Sequence, residues 1–397
     1  MESRGRLPEA VLAHRGSLNA RKSTAWSPGK DESPSECRLA GKVVKVLFDA
    51  HQLGRRQTGN ETYVRELLGV LGRRSDLEIV AAVESRVGPE LVAQPRVIFQ
   101  RVPRHGALRL AAMAMIARRS AVDLVHAIYF APAFSGRPLI VTIHDISYEI
   151  YPEFFSRGAL LRNRLLIRDS ARRARVVVTD SETSRRDIIE RYHLSEDRVV
   201  AIPIGASRRY LERKPPPLAP IGDRPVRVLV VGNLQPRKNL VRLLGAVRRV
   251  AATRAVSLRV IGPDGYQAHE IRRALRDSAA VEIVGYVDDA RLAEEYAQAD
   301  VFAYPSIYEG FGLPVLEAMA SGVPVVTTTG GSLPEVAGDA ALIVDPFDET
   351  AMADAILRLA ADADLRRHLR DLGRARAAQF SWERAAARLV DVYRDAM

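Results

Sequence analysis

Cysteine is nearly missing from this chain: its 397 residues hold one, Cys37. A single thiol cannot build a disulfide framework or a cysteine-rich metal site, and it fits a reducing cytoplasm. Long apolar runs are also missing. Nowhere do about 18 apolar residues follow one another, the length a membrane-crossing helix needs. Aromatic residues make up only 6%. No zinc-finger or RNP-like string accompanies them, which argues against reading of nucleic-acid sequence. Neither half carries a GxGxxG string, so an NAD oxidoreductase is disfavoured. Residues 1–41 lack the apolar stretch of a secretory signal. They read as a flexible extension, or as a start codon taken too early.

What is present describes a globular enzyme-sized chain. Hydrophobic residues reach 47%, too many for a disordered segment. The length exceeds a typical single core, so two domains are expected. Lys and Arg outnumber Asp and Glu by 59 to 48, a formal net charge of +11. That surplus favours anionic partners such as a nucleotide, a phosphate or a membrane surface.

Apolar β-branched runs alternate with helical patterns along the chain. Strands are expected at 42–50, 77–85, 97–102, 123–130, 138–146, 174–182 and 198–205. Several are apolar on both faces, as buried parallel strands are. Helices are expected between them, at 61–74 and 182–193 for example. The Pro-rich stretch RKPPPLAPIGDRP (213–225) interrupts the alternation and reads as part of a linker. A second series follows, with strands at 226–233, 257–262, 281–287, 300–306, 323–329 and 341–346. The spacing predicts an α/β protein of two Rossmann-like, doubly wound parallel-sheet domains facing a cleft. The domains are expected at 42–207 and 226–379, joined by a linker at 208–225. An amphipathic helix at 380–397 is expected to cross back to the first domain.

In such sheets ligands bind beyond the carboxyl ends of the strands. Four strings stand there. SIYEGFGLPVLEA (306–318) runs from a strand into a helix near Leu313. Gly310 and Gly312 clear side chains from the helix entrance, where free N–H groups and the helix dipole favour an anion. Glu309 and Glu317 bracket the turn, and a carboxylate accepts well from sugar or ribose hydroxyls. VVGNLQPRKN (230–239) places Gly232 and Asn233 at a strand end, with Arg237 and Lys238 before the next helix. Two cations at a helix N-terminus oppose the dipole, which makes sense if an anion such as a diphosphate binds there. RRQTGNETYVREL (55–67) carries Gly59 and Asn60 in a strand-to-helix loop, a phosphate approach or a simple turn and cap. TIHDISYE (142–149) puts His144 and Asp145 at a strand end, as partners for a sugar hydroxyl or as a local turn cap.

Lesser features accompany these. Tyr286 follows a strand and is placed to meet a nucleobase. Ser332 and Glu335 read as a capping box. Arg164, Arg168, Arg172 and Arg175 share one face if 157–175 is helical, with Leu161 and Leu165 near that face and not opposite it, a poor pattern for a membrane-surface helix.

These strings resemble glycosyltransferase family 4, retaining enzymes of the GT-B fold, from about Val44 to the C-terminus. The resemblance implies that Glu309 and the amides of Phe311, Gly312 and Leu313 contact the donor sugar and that Glu317 binds the ribose. It implies that Lys238, with Arg237, holds the diphosphate, that Gly59 belongs to a phosphate loop, and that His144 lies near the transferred sugar. Asn233 stands where the family commonly has an arginine, so the clamp is differently built, with Arg237 as its substitute. VGNLQPRKN resembles mannosyltransferase-like members, which points towards GDP-mannose. The function expected is hexosyl transfer from a nucleotide-diphosphate sugar to a glycan, glycolipid or small-molecule acceptor by front-face displacement. No Asp-x-Asp string stands at a strand end, and Lys238 and Arg237 cover the diphosphate, so no metal is expected. The site is expected in the cytoplasm, with a basic first-domain surface suited to peripheral contact at the inner membrane face and to a lipid-linked acceptor. The alternatives are a nucleotide-sugar epimerase on the same fold and a non-catalytic sugar-nucleotide-binding protein.

Overall fold

Strands that are apolar on both faces have to be covered on both faces, and here they assemble into two all-parallel sheets. The computed structural model describes residues 42–55, 58–84, 94–276 and 278–397. The extension expected at 1–41, Cys37 included, lies outside them. The first sheet holds β1 (Val44–Asp49), β2 (Leu77–Glu84), β3 (Val97–Val102), β4 (Leu124–Ile128), β5 (Leu139–Thr142), β6 (Val176–Thr179) and β7 (Val199–Ala201). The second holds β8 (Val226–Val231), β9 (Val256–Ile261), β10 (Val281–Gly285), β11 (Val301–Tyr304), β12 (Val325–Thr328) and β13 (Ala341–Val344).

Helices cover the sheets. With the first go α1 (Thr58–Leu71), α2 (Gly106–Arg119), α3 (Ser147–Ile150), α4 (Arg157–Arg173) and α5 (Glu182–Tyr192). Between the sheets in sequence lies the single turn α6 (Arg208–Leu211). With the second go α7 (Leu240–Ala251), α8 (Ala268–Arg276), α9 (Asp289–Gln298), α10 (Leu313–Ala320), α11 (Leu333–Ala337), α12 (Glu349–Ala361) and α13 (Ala363–Ala378), and α14 (Trp382–Asp395) ends the chain.

Strand order is β3-β2-β1-β4-β5-β6-β7 in the first sheet and β10-β9-β8-β11-β12-β13 in the second. Each sheet therefore reverses direction once, between β1 and β4 and between β8 and β11. Such a switch point leaves a crevice at the carboxyl ends, because the connections leave to opposite sides. This is the doubly wound α/β architecture expected from the alternating pattern.

Two local readings need correction. Arg175 lies past the end of α4 at Arg173 and does not join an arginine row along that helix. The stretch after Ser207 is not linker from its first residue: α6 buries Tyr210 edge-on against Tyr296, 5.6 Å between ring centroids.

The last helix starts at the cap Ser381, whose side chain accepts from the Arg384 amide. Its buried residues Trp382, Ala386, Leu389, Val390 and Tyr393 recur at three- and four-residue spacing, one face of a helix. That face lies on α1 of the first half. Trp382 stands 6.0 Å from Tyr63, and the Tyr393 hydroxyl is 2.7 Å from His126 Nδ1. One apolar cluster runs from Leu67 through Leu389 to Phe311 and Val315, so the two halves share part of their core.

Candidate active site

The loop after β8 is shaped before it is charged. Asn239 takes a left-handed conformation, which asparagine tolerates better than most residues, and closes a 3-10 turn over Pro236–Lys238. Its amide donates to the carbonyls of Pro305 at 3.0 Å and Pro346 at 2.6 Å, tying the turn to the end of β11. Arg237 and Lys238 thus sit in this turn, one residue ahead of α7, and face the loop that follows β11.

There they meet Glu309. Arg237 Nη1 lies 2.8 Å from one carboxylate oxygen and Lys238 Nζ 2.7 Å from the other. Arg237 also donates to the Tyr308 carbonyl at 2.6 Å, and Lys238 to the Tyr304 hydroxyl at 2.5 Å. The anion that the sequence called for at this turn is therefore, in this structure, a carboxylate of the protein itself. Burial pushes the Glu309 carboxyl up, but Arg237 and Lys238 outweigh it and hold the group at about 2. Lys238 moves down as well: burial and the neighbouring Arg237 outweigh the pull of Glu309. The Glu309 shift follows from its two directly bonded cations, and the Lys238 shift chiefly from burial.

Backbone geometry explains the glycines that follow. A Cβ on Gly310 would come within 2.4 Å of the His144 carbonyl oxygen, so this position lets the two halves touch. Gly312, the residue before α10, has φ +99, where a side chain is strained. Pro314 follows in the first turn of α10, where a missing N–H costs nothing. The amides of Phe311, Gly312 and Leu313 are thus brought to the helix entrance.

Glu317, one turn along α10, is buried, and Tyr296 donates to it at 3.1 Å. Burial raises its carboxyl to about 8 against the pull of that bond. The two glutamates of one motif are tuned in opposite directions because only Glu309 has cations in direct contact.

From the first half come His144 and its neighbours. His144 Nδ1 lies 2.6 Å from Asp180 at the end of β6, while Nε2 is buried without a partner among the described residues. Tyr63 and Tyr129 flank the ring edge-on at 4.6 and 5.5 Å. Asp145 is used differently: it accepts from the Ser147 amide and hydroxyl and starts α3. Of the two roles weighed for the His-Asp pair, Asp145 takes the turn cap and His144 stays turned to the junction.

The β6–α5 turn clasps both halves. Ser181 donates to the Gly310 carbonyl at 2.6 Å, and Ser184 to the carbonyls of His144 and Gly310. Glu335 accepts from the amides of Glu182 and Thr183 at 2.9 and 3.1 Å, at the start of α5. The capping box expected from Ser332 and Glu335 is therefore not formed. Ser332 has a helical backbone, and both its amide and its hydroxyl donate to the Glu309 carbonyl at 3.0 Å. Glu335 caps a helix of the other half instead.

Four further expected residues lie on α1 and just past the ends of β8 and β10. Gly59 is within the first turn of α1 and not in the loop before it, with nothing near its Cα side, and Asn60 follows it in the helix. Asn233 is half-buried just past β8, and Tyr286 is 45% exposed after β10. Asp180, Ser181 and Ser184 escaped the sequence reading, which took Asp180 and Ser181 as the end of a strand. The signal was the polar run DSETS directly after an apolar strand.

Two doubly wound sheets meeting at their carboxyl ends, with a glutamate-and-cation centre at the switch point of the second, define a glycosyltransferase of GT-B architecture. Comparison with known proteins agrees. Residues 58–208 match Glycosyltransferase Family 4, and residues 225–362 match Glycosyl transferases group 1. The chain is 34% identical over 267 residues to the O-antigen chain mannosyltransferase B of Escherichia coli, covering 64% of this chain and 70% of that one. It is 31% identical over 318 residues to the MMP alpha-(1->4)-mannosyltransferase of Mycolicibacterium hassiacum, covering 74% and 75%. Among solved structures, a sucrose-phosphate synthase from Thermosynechococcus elongatus superposes with TM-score 0.74 at 22% identity, covering 89% of this chain and 99% of that one. Anabaena HepE in complex with UDP-glucose superposes with TM-score 0.68 at 19% identity, covering 88% and 99%. The chain belongs to glycosyltransferase family 4 and is a transferase enzyme.

Proposed function

We propose that this enzyme transfers a hexose from a nucleotide-diphosphate sugar to an acceptor hydroxyl and retains the anomeric configuration. The observation that carries this is the buried Arg237–Glu309–Lys238 centre, in which two cations share one bonded carboxylate. The donor diphosphate takes the carboxylate's place on the cations. Glu309 is then released towards the sugar, beside the amides of Phe311, Gly312 and Leu313. Glu317 takes the ribose hydroxyls, Tyr286 the base, and Asn233, Gly59 and Asn60 line the approach.

In the transfer step the bond from the anomeric carbon to the phosphate oxygen breaks as the acceptor oxygen bonds to the same face. The acceptor proton passes to the departing phosphate oxygen. Fixed positive charge on that phosphate contributes most, since it is already in place when the charge develops. Because Arg237 and Lys238 neutralise the diphosphate, a divalent metal is not required. GDP-mannose is the donor favoured by the two mannosyltransferase relatives, and a glycan or lipid-linked glycan is the acceptor class favoured by the O-antigen relative.

The enzyme works in the cytoplasm, with its first half against an anionic membrane surface. Support comes from three exposed apolar side chains of this half, Phe134, Leu161 and Leu165, at 76%, 62% and 62%. Arg118 and Arg173 stand beside the Phe134 loop, bonding to 131–134 from α2 and α4. Co-sedimentation with anionic but not neutral vesicles checks the surface.

The test of the reaction is NMR of the product formed from GDP-mannose and a mannoside acceptor in excess EDTA. An α-linked product from the α-linked donor supports the reading. An inverted product, release of free sugar only, or epimerised donor overturns it.

A further inference from the structure

We infer that Asp180 is a positioning residue for the transfer: through His144 Nδ1 it sets the orientation and proton placement of the imidazole, leaving Nε2 as the nitrogen offered to the transferred sugar. This deepens the reading above and rests on it. The geometry is specific. Asp180 stands at the carboxyl end of β6, next to β5, and its carboxylate reaches the ring that follows β5 at 2.6 Å. Both side chains are almost wholly buried, at 11% and 4% exposure. A buried carboxylate beside Nδ1 keeps the proton on that nitrogen, so Nε2 faces outward as an acceptor in the neutral ring and as a donor in the charged one.

A core ion pair would need both ring nitrogens satisfied, yet Nε2 is buried with no protein partner among the described residues. An unpaired buried polar atom is costly, and it persists where a ligand completes it. The same turn fixes the main chain beside the ring: Thr179 and Ser184 donate to the His144 carbonyl, and Ser184 and Ser181 to the Gly310 carbonyl. Ring and sugar-facing motif are therefore set from one short segment, 179–184.

The groups facing the ring are Asp180 from β6, Tyr63 from α1, Tyr129 after β4, His126 within β4 and the adjacent Asp145. Burial lowers the affinity of His144 for a proton, and Asp180, with Asp145 adding to it, raises it further than burial lowers it. Removing the Asp180 charge without changing its shape reverses that balance.

The experiment is a double-mutant cycle with Asp180→Asn, His144→Ala and the pair, joined to imidazole NMR of the full chain without donor. Asp180→Asn is expected to lower kcat roughly tenfold or more at little change in donor KM. It is also expected to move the His144 titration midpoint to lower pH. Added to His144→Ala, it is expected to change kcat less than about twofold, because it acts through that ring. Full additivity in the cycle, or an unmoved His144 titration, overturns the inference. The NMR arm needs no turnover, so it separates failure of this dyad from failure of the proposed reaction. An Asp180→Asn chain that does not fold is replaced by Asp180→Ser, read by the same cycle.

Discussion

Lys238 Nζ and Glu309 Oε1 stand 2.7 Å apart, with both side chains buried. Arg237 holds the second carboxylate oxygen at 2.8 Å. The residue assigned to the sugar thus sits on the cations assigned to the diphosphate, and the two roles become consecutive. In the proposed reaction an incoming diphosphate would relieve the surplus of positive charge and free the carboxylate in one exchange.

Glu309→Gln tests that exchange through stability as well as rate. The Glu309 carboxyl lies at about 2 in the fold against an ordinary 4.5, so its contribution is present above the ordinary value and fades as pH falls towards 2. The variant leaves Arg237 and Lys238 without a carboxylate counter-charge and is expected to lose on the order of 3 kcal/mol at neutral pH. Saturating nucleoside diphosphate is expected to restore part of the melting temperature, and kcat to fall. Melting temperatures that coincide at neutral pH contradict the pairing.

Glu317 predicts a different pH dependence. Its carboxyl is raised to about 8, so its stability contribution is full below the ordinary 4.5 and is lost as pH rises through about 8. Glu317→Gln does not titrate there and is expected to hold its melting temperature better on the alkaline side. Ribose hydroxyls donate best to the ionised form, so wild-type donor affinity is expected to rise through the same interval. The variant's affinity stays flat and weaker by roughly tenfold. Parallel pH profiles of wild type and variant count against the ribose role.

Gly310→Ala places a methyl 2.4 Å from the His144 carbonyl oxygen. The neighbour is backbone and cannot swing aside, so the halves separate at the site. Each sheet is expected to stay folded by circular dichroism while kcat falls roughly tenfold or more. Near-normal turnover in this variant rules out the close approach during catalysis.

Tyr393→Phe removes one hydroxyl from the buried bond to His126 Nδ1. Burial holds His126 neutral, at about 3, so the lost bond is between neutral groups. The expected cost is about 1 kcal/mol. Calorimetry is expected to show a lower melting temperature with kcat unchanged. Truncation after Phe380 is expected to cost far more, since it bares α1 beneath Leu389 and Val390 and lowers both solubility and activity.

The strands were legible because runs such as VRVLVV are apolar on both faces and demand a two-sided cover. The motif at 306–318 was legible because its glycines and glutamates fall between a strand and a helix. What was not legible depends on distance in the chain. Glu335 reads locally as a cap for its own helix, yet its partners are the amides of Glu182 and Thr183. Asp180 reads as the tail of an apolar strand, and only the pairing of β5 with β6 brings it to His144. Gly59 reads as a loop residue, but helix α1 begins one residue earlier. Arg237 and Lys238 read as cations awaiting a ligand anion, yet the group facing them is the Glu309 carboxylate, 71 residues beyond Lys238.

Arg237 and Lys238 are proposed to hold a donor diphosphate without a metal. Isothermal titration of GDP and of UDP into the full chain in excess EDTA tests it directly, with Lys238→Ala measured alongside. A nucleoside diphosphate is expected to bind the wild type in EDTA, and roughly tenfold or more weaker to Lys238→Ala. Binding that appears only when magnesium or manganese is added, or that Lys238→Ala leaves unchanged, would contradict it.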